Sequence, residues 1–385
     1  MHSDIQIIIN LFKTASFFVI RRLSIYFLMV LSFWAATTLA DEVEPDTSSP
    51  GLATEKVLEG YETTFPAMGS TMSIIAYSTN EAQATAAFEE AKREAERLSN
   101  IMTDYESDSE LNLFVTNAPT PMPLSKDLWN VLISSQVWHD RTNGAFDASV
   151  GTLTRLWRAA RRAKSHPNPE AIANAMSLCG WQHVQLDSTA QTGTINKQGV
   201  KIDLGGIAAG YIIDAAFEVM INHGLTTCLI NAGGDIRCGD SPPGRTGWRI
   251  EVAPLAAKSR TGANAKSTIT DSQPLRRIYL SNASVVTSGD LWQFSEFDGV
   301  RRSHIIDPKT GVGVPGPSVV AVIAKRCVDA DAAATAISVM GLQNGMLFAS
   351  RQSDIEALMV IRDPKTNELQ YRVTDDFPSG IFDEK

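Results

Sequence analysis

The chain reads as a mixed α/β protein of the α+β kind, with a single large domain behind an N-terminal signal segment. Two observations carry that reading. Stretches with apolar residues at helical spacing stand beside short β-branched runs, and the two kinds do not alternate in a regular strand-helix-strand order. No stretch returns at a fixed period, which sets repeat architectures aside. With 385 residues, 44% hydrophobic and 20% charged, the composition is that of a globular protein with a sizeable core.

Residues 1–40 differ from the rest. Arg21 and Arg22 precede an apolar run from Leu23, which ends in Thr38-Leu39-Ala40 before acidic residues. That is the order of a secretory signal, with cleavage expected after Ala40. Ile5 to Ile20 adds a second, mostly apolar stretch, so an uncleaved membrane segment is the rival reading. Residues 41–60 are acidic, contain Pro and Ser and lack periodicity, as a linker does. The folded domain is expected over 61–375, followed by a polar tail at 376–385.

Within the domain, "ETTFPAMGSTMSIIAYS" (62–78) predicts a strand. "NEAQATAAFEEAKREAERLSNIM" (80–102) predicts an amphipathic helix with Ala84, Phe88, Ala91, Ala95 and Leu98 on one stripe. Ser125 carries a cap signal for a helix running to Asn143-Gly144, and helical pattern with Pro and Asn breaks continues to about 178. From 181 the pattern turns to β. "DLGGIAAGYIIDAA" (203–216) then predicts a strand end, a tight turn and a helix start, with Ile207, Tyr211, Ala215 and Val219 spaced four apart. "LTTCLINAGGDIRCGD" and "WRIEVAPL" read as strands around a glycine turn, and 256–273 as an exposed polar insertion. "RRIYLSNASVVTSG" and "SVVAVIAKRC" are strands, "DADAAATAISVMGLQNGMLFAS" is a helix, and "IEALMVIRD" and "LQYRVTD" close the domain.

The formal net charge of −9 and the lack of a basic stripe argue against a nucleic-acid surface. The local cluster "RLWRAARRAK" (155–164) reads as a solvated helix face. Four cysteines are too few for a disulfide framework in a core of this size. Cys228 and Cys238 flank "LINAGGDIR", where they either face each other across a hairpin or serve as small buried hydrophobes.

Several short stretches carry chemistry. Asp331 and Thr335 stand four apart on one helix face, and a carboxylate with a hydroxyl suits a hard cation such as Mg²⁺. Taken alone, Asp329 or Asp331 more often serves as a plain helix cap. The glycines of "NAGGD" suit a tight turn or close approach to a ligand. His304 precedes the turn Asp307-Pro308-Lys309-Thr310-Gly311 and is a candidate proton-transfer group.

Taken in order, "PAMGSTM", "MTDYESDSELN", "NGAFDASVGTL", "DLGGIAAGYIID", "NAGGDI", "SGD…HIIDPKTG" and "DADAAATA" resemble the ApbE family of FAD-dependent protein FMN transferases, over roughly residues 61–375. The resemblance implies an ApbE-like catalytic domain that moves the FMN half of FAD onto a threonine or serine of an acceptor protein and releases AMP. It implies FAD contacts at Met68, Tyr105, Ala145, Phe146, Asp147, Asp203, Ala209 and Ile305. It implies Mg²⁺ held by Asp331, Thr335 and the backbone carbonyl of Gly206, with His304 as the catalytic base. Position 209 departs from the family, which usually has lysine or another charged or polar residue there. The acceptor would carry an Asp-x-x-[Ser/Thr]-Gly-Ala-Thr type motif. The implied location is the periplasm, with inner-membrane association if the N-terminal segment stays uncleaved. A metal-dependent FAD pyrophosphatase giving FMN and AMP, and a non-catalytic flavin-binding protein, are the competing readings.

Overall fold

A computed structural model describes residues 57–252, 276–290, 294–297, 300–363, 366, 368–378 and 381–382. The expected leader at 1–40, the linker as far as 56 and the insertion at 256–273 lie outside the described residues.

The frame is an eight-stranded sheet. Its strands are Glu59–Ala67, Ser70–Ser78, Cys228–Ala232, Asp235–Cys238, Ala283–Gly289, Ser318–Ala324, Ile355–Arg362 and Leu369–Val373, lying side by side in chain order. Every neighbouring pair is antiparallel. The helices are insertions into this meander. Between the second and third strands come α1 (Glu81–Met102), α2 (Glu110–Thr116), α3 (Lys126–Arg141), α4 (Gly151–Ala163), α5 (Pro169–Met176) and α6 (Ala208–Asn222). Between the sixth and seventh comes α7 (Cys327–Ala349).

Side chains alternate across the sheet. One face buries Ile74, Cys228, Ile230, Val320, Val322 and Met359 beneath α1, α6 and α7. The other buries Leu229, Ile236, Cys238, Val319 and Leu358 against Trp248, Ile250 and Ile278 of a small sheet. That small sheet joins Trp248–Val252, Arg276–Leu280 and Ile381–Phe382. Its last strand and the buried Phe377 make part of the expected tail a structural piece of the domain. At the other end, the first strand already begins at Glu59.

The helices start where their sequences direct. The Asn80 side chain accepts from the amides of Ala82 and Gln83 to cap α1, and the expected stripe from Ala84 to Leu98 is buried. Ser125 accepts from the amide of Leu128 at the start of α3. Three other readings change. Residues 62–78 form a hairpin rather than one strand, turning at Met68 and Gly69 with φ of 50° and 69°. Positive φ at both positions fits the twist of a two-residue hairpin. Pro66 is tolerated because its strand is a sheet edge. Cys228 and Cys238 do not face each other: Leu229 is the residue opposite Cys238, so the two thiols sit in different cores and are free.

The third change concerns α7. It begins at Cys327, so neither Asp329 nor Asp331 caps it. The cap comes from α6: Asp214 accepts from the amides of Cys327 and Val328 at 2.9 and 3.0 Å. The two helices cross closely at Gly210, where a Cβ would lie 2.4 Å from the Cys327 carbonyl oxygen. Gly210→Ala is therefore expected to destabilise the fold by about 1–3 kcal/mol, read as a lowered thermal unfolding midpoint. Wild-type stability in this variant would mean that the crossing is looser than described.

Candidate active site

The turn ahead of α6 is built around Asp203. Its backbone amide donates to the Ala148 carbonyl at 2.7 Å, and its Oδ1 accepts from the Gly205 amide at 2.8 Å. Gly206 then lies against Thr335 of α7, since a Cβ there would stand 2.7 Å from Thr335 Oγ1. One turn earlier on α7, Asp331 is 4% exposed and its Oδ2 accepts from the Gly210 amide at 3.1 Å. Thr335 thus lies against Gly206, and Asp331, one turn away on the same helix face, lies against Gly210. Sequence reasoning missed a neighbour. Asp235, from the glycine hairpin, lies close enough to Asp331 for its charge to act on the Asp331 carboxyl.

Burial, and then the Asp235 charge, push the Asp331 carboxyl well above the usual carboxylate range, while the Gly210 amide works in the opposite direction. Burial likewise raises Asp235 to about 7, against the hydrogen bond from the Thr287 amide. Among the described residues no three His, Cys, Asp or Glu side chains gather at one point. A cation here would rest on few carboxylates with neutral hydroxyl and carbonyl oxygens. Hard oxygen donors with room for water are the ligand set that Mg²⁺ accepts.

A second group surrounds Asp203. Arg158 of α4 places one guanidinium nitrogen 2.9 Å from Asp203 Oδ2 and another 2.6 Å from Asp104 Oδ2. Its carbon stands 4.9 Å from the ring centre of Tyr105, which is 74% exposed. Arg155 donates to the Asp104 carbonyl and to Asn112 Oδ1. The basic stretch at 155–164 is thus not simply a solvated face. The adjacent Trp157 donates its indole N–H to the Gly311 carbonyl at 2.8 Å, so α4 also holds the turn that follows His304.

The remaining expected residues have the following local surroundings. Ala145 and Phe146 are buried, and Asp147 Oδ1 accepts from the Ser149 amide at 2.8 Å. Burial raises the Asp147 carboxyl, and Oδ2 stands 4.0 Å from His139 Nε2. Met68, half-buried at the first hairpin turn, is beside the glycine hairpin, because a Cβ at Gly233 would meet Ser70 Oγ at 3.2 Å. Ala209, half-buried, is in the first turn of α6. His304 is half-buried and Ile305 buried on the strand Val300–Ile306, which packs against α4 and α7.

The family profile of ApbE matches residues 68–359. The chain belongs to the ApbE family. The solved flavin transferase ApbE from Vibrio cholerae superposes with a TM-score of 0.73 at 26% identity, covering 83% of this chain and 99% of that one. The apo flavinyl transferase ApbE of Pseudomonas stutzeri gives a TM-score of 0.70 at 25% identity, covering 83% and 95%. A FAD:protein FMN transferase of Treponema pallidum is 27% identical over 299 residues, 74% of this chain and 79% of the relative. Its counterpart in Vibrio cholerae is 28% identical over 313 residues, 80% and 89%.

The paired carboxylates give a stability test within this ApbE fold. An acid whose folded pKa is raised costs stability as pH climbs above its ordinary value near 4, because the unfolded chain ionises first. Asp331→Asn keeps an acceptor for the Gly210 amide and removes the charge. Without added cation its melting temperature is expected to exceed wild type at about pH 8, the difference closing towards about pH 4. A lower melting temperature at both pH values would show that the charge is compensated.

Proposed function

We propose that this chain is a FAD:protein FMN transferase that uses Mg²⁺. The observation that supports the reading best is the convergence of Asp331, Thr335 and Gly206 in a chain whose matched relatives are named for this activity. FAD is the donor. The acceptor hydroxyl oxygen forms a bond to the FMN phosphorus, the bond from that phosphorus to the AMP oxygen breaks, and AMP leaves.

In this reading each residue has a task. Asp331, Thr335 and the Gly206 carbonyl hold Mg²⁺, which supplies charge neutralisation to the pyrophosphate when bound. Asp203 holds part of the nucleotide, Ala145–Asp147 line the flavin side, and Met68, Tyr105 and Ile305 contact FAD. His304 takes the proton of the acceptor threonine or serine. Ala209 offers no charged side chain at the first turn of α6. The acceptor carries an Asp-x-x-[Ser/Thr]-Gly-Ala-Thr type motif and is met in the periplasm. The charge-then-apolar order of residues 1–40 supports export, with inner-membrane association if that segment is retained.

The test mixes purified protein, FAD and Mg²⁺ with a protein carrying the acceptor motif. Fluorescent acceptor after denaturation, with matching AMP, is the expected result. AMP with free FMN and no labelled acceptor would mean hydrolysis instead, and bound FAD with neither product would mean binding alone. Asp331→Ala is expected to abolish labelling, whereas His304→Ala should lose roughly 10²–10⁴-fold and leave a residual rate. Labelling by His304→Ala at the wild-type rate would remove His304 from the proton-transfer role. Ala209→Lys adds one charge-assisted contact, worth roughly 1.5–3 kcal/mol, and should tighten FAD by about one to two decades in fluorescence quenching. Unchanged or weaker binding would mean that the pocket is fitted to alanine.

A further inference from the structure

We infer that Arg158 is a positioning residue for FAD, a role that rests on the FAD reading above. A single guanidinium joins two segments that are far apart in the chain. One fork nitrogen holds Asp104, next to Tyr105; another holds Asp203, which begins the turn leading to Gly206. Both carboxylates are largely buried, their side chains 9% and 10% exposed, so each depends on the pairing. The same guanidinium lies over the Tyr105 ring, although that ring is otherwise mostly exposed. A large aromatic ring held on one side and open on the other is a platform for a flat ligand ring. The planar fork meets two acceptors and a ring face at once, which a lysine cannot do. Arg158 thereby fixes the distance between the platform and the Asp203–Gly206 turn that abuts Thr335. Its place on α4, directly after Trp157, ties that spacing to the turn following His304.

The experiment compares wild type, Arg158→Met, Arg158→Lys and, as a control on the same helix, the exposed Arg162→Met, using FAD fluorescence quenching, steady-state labelling and thermal unfolding. Arg158→Met is expected to raise the FAD dissociation constant and KM at least about tenfold with kcat within about threefold, the pattern of lost binding rather than lost chemistry. Arg158→Lys should recover the melting temperature but only part of the FAD affinity, and Arg162→Met should behave as wild type. A folded Arg158→Met with FAD affinity within about twofold of wild type overturns the inference, as does a fall in kcat at unchanged KM. Should the methionine variant not fold, wild-type FAD affinity in Arg158→Lys overturns it equally. Failure of the wild type itself to bind FAD would overturn the functional reading, and the inference with it, so the two failures are distinguishable.

Discussion

The crossing of α6 and α7 is the contact on which the site depends. Each helix supplies the other with a carboxylate for amides that its own first turn leaves unbonded. Asp214 of α6 takes the Cys327 and Val328 amides, and Asp331 of α7 takes the Gly210 amide. The exchange demands that the backbones nearly touch, and Gly210 permits this because it has no Cβ. With the two helix starts locked together, Gly206 must face Thr335. The donor oxygens of the candidate cation site are therefore set by helix packing, and a loop of independent mobility does not place them.

The sheet and α4 hold the other segments in place. In an antiparallel meander every second turn lies at the same end. The Met68–Gly69 and Gly233–Gly234 turns are neighbours for this reason, and the end of Ala283–Gly289 reaches them through the Thr287 amide on Asp235. Helix α4 uses two consecutive residues to hold three loops. Trp157 holds Gly311 and Arg158 holds Asp104 and Asp203. The arrangement brings together segments that are far apart along the chain.

Features that depend on neighbours in sequence were legible before the structure. The α1 stripe, the Ser125 cap, the glycine turn before α6 and the four-residue spacing of Asp331 and Thr335 all follow from helical period and turn chemistry. Features that depend on distant partners were not. Arg158 read as part of a solvated face because its partners are 54 and 45 residues away. Asp214 gave no cap signal, since the helix it caps lies 113 residues later. The turn at Met68 was missed because methionine rarely supplies positive φ, and the signal of a two-residue hairpin is usually Asn-Gly or Asp-Gly. The paired carboxylates escaped notice because Asp235 and Asp331 meet only after the glycine hairpin folds against α7.

That pairing also explains why the protein tolerates an arrangement that weakens it. Two carboxylates in a buried place repel, and burial alone already disfavours their charge. Replacing them with neutral residues would relieve the fold. On the proposed Mg²⁺ reading, replacement would also remove the attraction for a cation, because the free energy that penalises the pair would be released when positive charge arrives. The raised carboxyls accord with the general finding that strongly perturbed acids gather at functional sites. A purely structural crossing could have kept Asp214 alone, which has Arg237 within 3.5 Å. Asp331 has instead a second acid beside it, and that asymmetry between two otherwise reciprocal helix contacts supports the proposed cation reading at Asp331.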